Sequence, residues 1–362
     1  MNALEFHAGP RALEHIRQHG LRARDVAVIP AAAGGPKGLI FQALDQWLFS
    51  EWLPAAPRER TLIGSSIGAW RMAAACQRDP VAAFKRLGDL YAGQRYDDPK
   101  PTPRQIDDVC RKLLADFVTG HEEDILAHPH YRMHLLTDRG RGALAAPRHR
   151  KDEMRGFASA ALRNIAARAH LAPLLERVVM GDVRDPLPWL REPWDVFTTH
   201  FVRLTPRNLP DALLASGTLP LIMQAIQHLD EAPPGSYWDG GILDYHLALP
   251  YARLHSDDLV LYPHFTSGIV PGWLDKSLPW RRAHKGPNRG WLDNVLVVAP
   301  SRKFLRTLPR GKLPDRKDFQ HYGLDHDERI RQWQKAISQA QALRDDFAAF
   351  AERPDIARIR AM

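Results

Sequence analysis

The sequence predicts an α/β protein with three layers, in which helices cover both faces of a mostly parallel central sheet. Short aliphatic segments, typical of buried strands, alternate along the chain with segments of helical periodicity. Two of the aliphatic segments, residues 26–31 and 61–64, pass through a glycine-rich turn directly into a helix. Strands that alternate with helices favour a parallel sheet that is buried on both faces.

Each predicted strand is a short aliphatic run, and each predicted helix carries apolar side chains three or four positions apart. The strands are residues 26–31, 61–64, 131–137, 199–204, 258–262 and 294–298. The helices are residues 10–20, 38–52, 67–77, 153–171 and 208–217, with further helical segments in 80–118 that Pro99, Pro101 and Pro103 interrupt. Apolar side chains at helical spacing also predict a long C-terminal helix at 325–352, packed on the core. A helix that binds a partner or a membrane is the alternative.

The chain is predicted to be a single domain, residues 1–362, with its core at about 25–262. Residues 263–320 differ, because they are rich in proline, glycine and basic residues and carry Trp273, Trp280 and Trp291. Since tryptophan and arginine together suit a membrane–water interface, one hypothesis is that this segment forms a lid or an interfacial docking loop. The alternative is a long loop that its tryptophans anchor to the core.

The composition is that of a protein with a large buried core, with 44% hydrophobic and 25% charged residues. The first residues lack the pattern of a secretory signal, and no apolar stretch approaches the ~20 residues of a membrane helix. Two cysteines, Cys76 and Cys110, offer no disulfide framework. We therefore expect a cytoplasmic protein with reduced thiols.

The net charge of +8 arises mostly from scattered arginines. No nucleic-acid-binding motif or repeat of basic and aromatic residues accompanies them, so we expect no nucleic-acid partner. A solvated, arginine-rich surface accounts for the charge. The alternative is peripheral contact with an anionic membrane surface, such as the inner membrane face.

Ser66 is the leading candidate for a nucleophile. It lies in the sequence GSSIG at residues 64–68, between the predicted strand 61–64 and a helix. A G-x-S-x-G sequence in this setting forms a sharp turn that exposes the serine hydroxyl at the carboxyl edge of the sheet. The following helix N-terminus favours developing negative charge there. The alternative is an ordinary Gly/Ser turn.

A second glycine-rich turn, GGPKG at residues 34–38, follows the strand 26–31. Main-chain N–H groups in such a turn can bind an anion. The phosphate-binding loop of nucleoside triphosphatases requires G-x-x-x-x-G-K-[ST], which this turn does not supply. An oxyanion hole requires only two N–H donors near the serine, so the pattern favours that function.

Asp239 precedes two glycines in the sequence WDGG at residues 238–241. An aspartate in this position usually forms a turn, because its carboxylate binds nearby main-chain N–H groups. Together with the other two turns, it becomes a candidate general base. A carboxylate next to a serine hydroxyl can accept its proton and return it to the leaving group.

These motifs, in this order, resemble the patatin-like phospholipase family. The resemblance covers about residues 25–245 and includes the small-residue segment ASGTLP at 215–220. The interval of 173 residues from Ser66 to Asp239 is in the usual range of the family. The family loop usually begins with Asp-Gly, where this chain has Ala32 and Ala33.

The resemblance implies a Ser–Asp dyad, with Ser66 as nucleophile and Asp239 as its base. It implies oxyanion donors in the main chain of Gly34 and Gly35, and a phosphate-binding cation in Lys37, where the family usually has arginine. The remaining motif glycines are Gly38, Gly64, Gly68, Gly240 and Gly241. The implied substrate is a lipid or another acyl ester, with no metal and no organic cofactor.

Histidines offer two alternatives to this interpretation. A conventional triad would require a late histidine as base, and His264 after strand 258–262 is the best candidate. Loss of nearly all turnover in His264→Ala would support the triad. His128, His130 and His134 are close in sequence, but no cysteine or acidic cluster completes a metal-ligand set, so metal binding is disfavoured.

The sequence therefore predicts a serine lipid acyl hydrolase of phospholipase A or lysophospholipase type. Two alternatives keep the same residues: a lipid transacylase, and a non-catalytic lipid-binding or regulatory protein. Product analysis with an alcohol acceptor separates the first two activities.

Overall fold

A computed structural model of the chain describes residues 2–286 and 288–362. Within them, ten strands form one mixed sheet in the order β10-β1-β9-β8-β2-β3-β4-β5-β6, and β7 pairs with β4 beside this path. The strands are β1 (Leu4–Ala8), β2 (Val26–Ala31), β3 (Arg60–Ser65), β4 (Tyr131–Gly140), β5 (Leu175–Gly181), β6 (Thr199–Arg203), β7 (Tyr237–Asp239), β8 (Leu259–Pro263), β9 (Val295–Pro300) and β10 (Ile359–Ala361).

Most neighbouring strands run parallel, and the antiparallel pairs are β1 with β9, β4 with β5, and β4 with β7. The central strands β2, β8 and β9 are buried along their whole length. That burial explains their continuous aliphatic sequences, since helices cover both faces. The predicted α/β class with a mostly parallel sheet in a three-layer fold is confirmed.

The α-helices alternate with the strands. They are α1 (Pro10–His19), α2 (Gln42–Trp47), α3 (Ile67–Ala75), α4 (Pro80–Ala92), α5 (Pro103–Val118), α6 (Glu122–Leu126), α7 (Arg150–Ala166), α8 (Pro188–Arg191), α9 (Leu209–Ser216), α10 (Gly241–Asp244), α11 (Arg302–Leu305), α12 (Lys317–Tyr322), α13 (His326–Gln339) and α14 (Gln341–Glu352). The predicted helix 38–52 is a composite, in which α2 lies between a 3₁₀ segment, Gly35–Phe41, and a π segment, Leu48–Trp52.

Strands β1, β5, β7 and β10 were not predicted, because β1, β7 and β10 lack an aliphatic run and the short apolar run of β5 follows two charged residues. In β5 the polar residues Glu176 and Arg177 are buried, which the sequence gives no reason to expect. Arg177 is fully buried because Asp195 and Asp244 satisfy its guanidinium group. Tertiary ion pairing thus overrides local polarity in this strand.

The predicted C-terminal helix is present as two helices, α13 and α14, which are separated at Ala340. Helix α14 packs on α2 and β1, where the Phe350 ring stacks on Phe6 with centroids 3.8 Å apart. The C-terminal helical segment therefore closes the core next to the N-terminal strand.

Residues 263–320 divide among different environments. Trp273 packs against the core, whereas the side chain of Trp280 is 61% exposed. Trp291 is half-buried in the wall of a second cavity. No helix in the described ranges is long and apolar enough to cross a membrane. The lid or docking function of this segment stays a prediction.

Candidate active site

Ser66 lies in a sharp turn between β3 and α3. Its φ of 56° and ψ of −131° fall in a region that non-glycine residues rarely adopt. A Cβ on Gly64 would lie 2.4 Å from the main-chain nitrogen of Ala69, and one on Gly68 would lie 1.9 Å from the carbonyl oxygen of Ala31. Both flanking glycines are therefore required, because the elbow folds back on itself and α3 packs directly on the end of β2.

The glycine-rich turn at 34–38 lies beside this elbow because β2 and β3 are parallel neighbours, with Ala31 opposite Gly64. Gly35 has a φ of 56°, in the left-handed region that favours glycine. The main-chain N–H groups of Gly34 and Gly35 have no acceptor within the described ranges. They are therefore available to an anion at the carboxyl edge of the sheet.

Asp239 reaches the same place from the opposite direction. Strand β3 runs parallel to β4 and ends with Ser65 opposite Leu136, while β7 runs antiparallel to β4 and ends with Asp239 opposite Thr137. The two strands lie on the same side of β4 and meet end to end there. This meeting brings Ser66 and Asp239 together although 173 residues separate them.

The turn after Asp239 fixes its carboxyl group. The Gly241 N–H donates a 2.7 Å hydrogen bond to Asp239 Oδ1, and the Asp239 N–H donates to the Thr218 carbonyl at 2.8 Å. A Cβ on Gly240 would lie 2.3 Å from the Leu136 carbonyl oxygen, so no larger residue fits there. The two glycines after Asp239 thus serve close packing and carboxyl orientation.

Burial raises the pKa of the Asp239 carboxyl to about 6, although the Gly241 N–H, the Ser66 hydroxyl and Arg316 each act to lower it. Asp239 is only 4% exposed. A carboxyl group with this pKa is ionised at neutral pH but holds a proton readily, which suits general acid–base chemistry.

Ser66 lines a mainly apolar cavity of about 600 Å³. Its apolar wall comes from Trp70, Tyr91, Ile106, Leu219, Ile222, Met223 and Phe319. The cavity also exposes Gly35 and Arg316, so the candidate nucleophile, a loop donor and a cation share one space. Such a space can hold an acyl chain with its ester group at Ser66.

Lys37 occupies a different position from the one that its predicted function requires. Its ammonium lies over the ring of Phe265, 4.7 Å from the centroid, and it is absent from the cavity wall. Burial lowers the pKa of Lys37 to about 8. The structure therefore brings together Ser66, Asp239, Gly34 and Gly35. It places the Lys37 ammonium on the ring of Phe265, outside the cavity wall.

His264 lies apart from the candidate dyad. It is fully buried, stacks on Phe265 and pairs through Nδ1 with the Thr266 carbonyl. Burial lowers its pKa to about 3. None of its hydrogen bonds involves Ser66 or Asp239, so the geometry favours the dyad over the triad.

Two of the three histidines considered for a metal, His128 and His134, have other contacts. His128 stacks on Tyr131, with centroids 4.3 Å apart, and its Nδ1 accepts a hydrogen bond from the Tyr131 N–H. His134 pairs with Asp185 at 3.2 Å. The contacts of His128 and His134 are those of structural side chains.

Sequence reasoning missed two features of the site. Arg71 in α3 makes a buried, bidentate ion pair with Asp45 in α2, with both N–O distances 2.8 Å. This pair joins the helices that follow the two glycine-rich turns. Arg316 is the second feature, and no sequence signal distinguishes it among 50 lysines and arginines.

No curated protein matches the chain. The sequence model of the patatin-like phospholipase family matches residues 40–250, a range that contains Ser66 and Asp239 and begins just after the turn at 34–38. The match covers more than half of the chain and agrees with the three-layer fold described above. The chain therefore belongs to the patatin-like phospholipase family, a family of lipid acyl hydrolases.

Proposed function

We propose that this protein is a serine hydrolase of lipid acyl esters, of phospholipase A or lysophospholipase type, and that Ser66 and Asp239 form its catalytic dyad. The observation that carries the proposal is that Ser66, which lines an apolar cavity, lies beside the carboxyl group of Asp239. The raised pKa of Asp239 and the unpartnered N–H groups of the adjacent loop support it.

In the acylation step, Ser66 Oγ attacks the ester carbonyl carbon while its proton passes to the Asp239 carboxylate. The N–H groups of Gly34 and Gly35 stabilise the resulting oxyanion. The carbon–oxygen bond to the alcohol then breaks, and Asp239 returns the proton to the departing oxygen. An acyl group esterified to Ser66 remains.

In the deacylation step, Asp239 removes a proton from a water molecule that attacks the acyl-enzyme. The tetrahedral intermediate collapses, the carboxylic acid leaves, and Ser66 recovers its proton from Asp239. The proposed mechanism requires no metal and no organic cofactor. The acid product and the released alcohol account for all atoms of ester and water.

The test is hydrolysis of p-nitrophenyl butyrate and octanoate with calcium chelated, together with labelling by a fluorophosphonate probe. Ser66→Ala should abolish turnover and labelling, and Asp239→Asn should abolish turnover. Ser65→Ala is the matched control, because its hydroxyl is buried without a hydrogen-bond partner in the described ranges. Normal turnover in Ser66→Ala or in Asp239→Asn would overturn the proposal.

If an alcohol in place of water accepts the acyl group from the same acyl-enzyme, the protein is a transacylase. Product analysis with glycerol or a lysolipid as acceptor measures this branch directly, because a new ester appears instead of the free acid. Absence of serine-dependent turnover on any ester, in folded protein, would favour a lipid-binding or regulatory function.

We also propose a cytoplasmic location with peripheral contact to anionic membranes. The net charge of +8 and the 61% exposed side chain of Trp280 support membrane contact. Binding to anionic and to zwitterionic vesicles measures this contact, and equal absence of binding to both would contradict it.

A further inference from the structure

Arg316 lies against the loop that carries the proposed oxyanion donors. It lines the cavity that contains Ser66, and its Nε is 3.4 Å from the position that a Cβ on Gly35 would occupy. The guanidinium group is therefore within van der Waals reach of the main chain of this loop. Arg316 thus places a cation next to the proposed oxyanion donors.

The neighbouring acids are engaged elsewhere. Asp315 pairs with Lys312 at 2.9 Å, and Asp318 pairs with Lys312 at 2.7 Å and with Arg310 at 2.6 Å. Arg316 itself makes no ion pair with any acid of the described ranges. It is a half-buried cation on the wall of an apolar cavity.

The positive charge of Arg316 influences ionisable groups of the site. It acts to lower the pKa of Asp239 and of Tyr91, which also borders the cavity. The cavity has a second cation, Lys100, but that residue is exposed and lies beside the acidic Asp98. Arg316 is thus the cation placed to meet an anionic group close to Ser66.

We propose that Arg316 binds a phosphate group of the substrate, and that the enzyme thereby prefers acyl esters that carry a phosphate near the scissile bond. The inference rests on the proposed hydrolase function. A guanidinium group presents paired N–H donors that match two phosphate oxygens, and these charge-assisted bonds are stronger within an apolar cavity. Arg316 takes the function that the sequence assigned to Lys37, and it lies outside the range 40–250 that matches the family.

A purely electrostatic effect on Asp239 is the competing explanation. Loss of the Arg316 charge would then alter turnover of every ester equally, since the same base serves each reaction. Phosphate recognition predicts a selective loss instead. The comparison of two substrates with one acyl chain, one with a phosphate and one neutral, separates the two explanations.

The kinetic test compares a 1-acyl lysophosphatidic acid with the monoacylglycerol of the same chain length. Arg316→Gln should lower kcat/KM about 10- to 100-fold for the phosphate ester and change it less than about 3-fold for the neutral ester. Arg316→Lys should recover part of the loss, because lysine restores the positive charge but not the paired N–H donors of the guanidinium group. Arg306→Gln is the matched control, since Arg306 is an exposed arginine of the same segment that does not line the cavity.

A binding test removes the dependence on turnover. Dodecyl phosphate and 1-O-dodecylglycerol, below their critical micelle concentrations, are titrated calorimetrically into wild type, Arg316→Gln and Lys37→Gln. The expected result is an affinity for dodecyl phosphate that falls about tenfold or more in Arg316→Gln alone. Weaker binding of dodecyl phosphate in Lys37→Gln, with Arg316→Gln unchanged, would overturn the inference in favour of Lys37.

Equal losses on both esters, or no loss on either, would also overturn it. These outcomes leave the hydrolase proposal intact, provided that turnover still requires Ser66. Conversely, loss of dodecyl phosphate binding in Arg316→Gln, in a protein without Ser66-dependent turnover, would support the anion site and contradict the hydrolase proposal.

Discussion

The main-chain N–H of Ser66 donates a 2.9 Å hydrogen bond to the hydroxyl of Ser216, which is 150 residues later in the chain. The Ser216 hydroxyl in turn donates to the Leu136 carbonyl of β4 at 2.6 Å. One buried hydroxyl thus ties the strained elbow to the strand where β3 and β7 meet. The main-chain N–H of Ser66 is therefore hydrogen-bonded in its unusual conformation.

Replacement of Ser216 by alanine should therefore cost stability and activity together. It removes the acceptor of Ser66 N–H and the donor to Leu136, and each buried polar group left unpaired costs about 1–3 kcal/mol. Urea unfolding measures the loss, and kcat on p-nitrophenyl butyrate should fall. Ser65→Ala is the control and should be as stable as wild type, since the Ser65 hydroxyl has no hydrogen-bond partner in the described ranges. Equal stability of both variants would contradict the function assigned to Ser216.

The pH dependence of turnover should follow the ionisation of Asp239. As the proposed base it must be ionised, and burial raises its pKa to about 6, so kcat/KM should rise with pH and level off above that value. The measurement is a pH profile with an ester whose leaving group does not titrate in the range. A rising limb that disappears in His264→Ala would instead support a histidine base.

Asp239→Asn should abolish turnover without loss of stability at neutral pH. The folded protein binds the Asp239 proton more tightly than the unfolded chain, so the stability of the wild type falls as pH rises from about 4 to about 6 and stays lower above. Asparagine does not ionise, so Asp239→Asn avoids this loss of folding free energy, which amounts to as much as about 3 kcal/mol.

The contrasting variant is Asp244→Asn. Asp244 is also buried, but its Oδ2 lies 2.5 Å from Nε of the fully buried Arg177, so its loss should cost about 3 kcal/mol. Urea unfolding at pH 5 and pH 8 measures both variants. Destabilisation of Asp239→Asn as large as that of Asp244→Asn, at pH 8, would show that the Asp239 carboxylate is stabilising.

Gly34→Ala should disturb the proposed oxyanion loop. A Cβ there would lie 2.5 Å from Cε1 of Phe265, so the loop or the ring must move, and kcat should fall about 10- to 100-fold. Phe265→Leu in the same chain relieves the contact and should return kcat to the level of Phe265→Leu alone. Gly268→Ala is the control, because a Cβ at Gly268 meets no atom within 4 Å. No rescue by the second substitution would argue against steric displacement.

Trp280→Ala combined with Trp291→Ala should weaken binding to anionic vesicles about tenfold or more, because apolar ring area no longer enters the membrane interface. Hydrolysis of a soluble ester should persist. Leu162→Ala is the control, since it removes a 70% exposed apolar side chain from α7. Unchanged vesicle binding in the double variant would leave these tryptophans as surface and cavity residues only.

Much of the fold could be predicted from local sequence. The aliphatic runs of β2, β3, β8 and β9 are long enough to identify buried strands, and the turns after β2 and β3 are marked by glycines that only tight backbone geometry requires. Strands such as β5 were missed, because their polar residues are buried only through ion pairs with distant parts of the chain. The break at Ala340 was missed as well, since apolar spacing continues across it.

The sequence by itself determined the chemical types of the candidate site: a serine in a glycine elbow, a glycine-rich turn and an aspartate before two glycines. It determined them because each motif is short, and its backbone conformation depends on residues next to one another. Only the tertiary structure decided which of these groups share a space and which cation accompanies them. Long-range pairing along β4 brings Asp239 to Ser66, and packing places Arg316 next to Gly35 where the sequence pointed to Lys37. Contacts between residues far apart in the chain have no local signature, since they depend on the register and packing of the whole sheet.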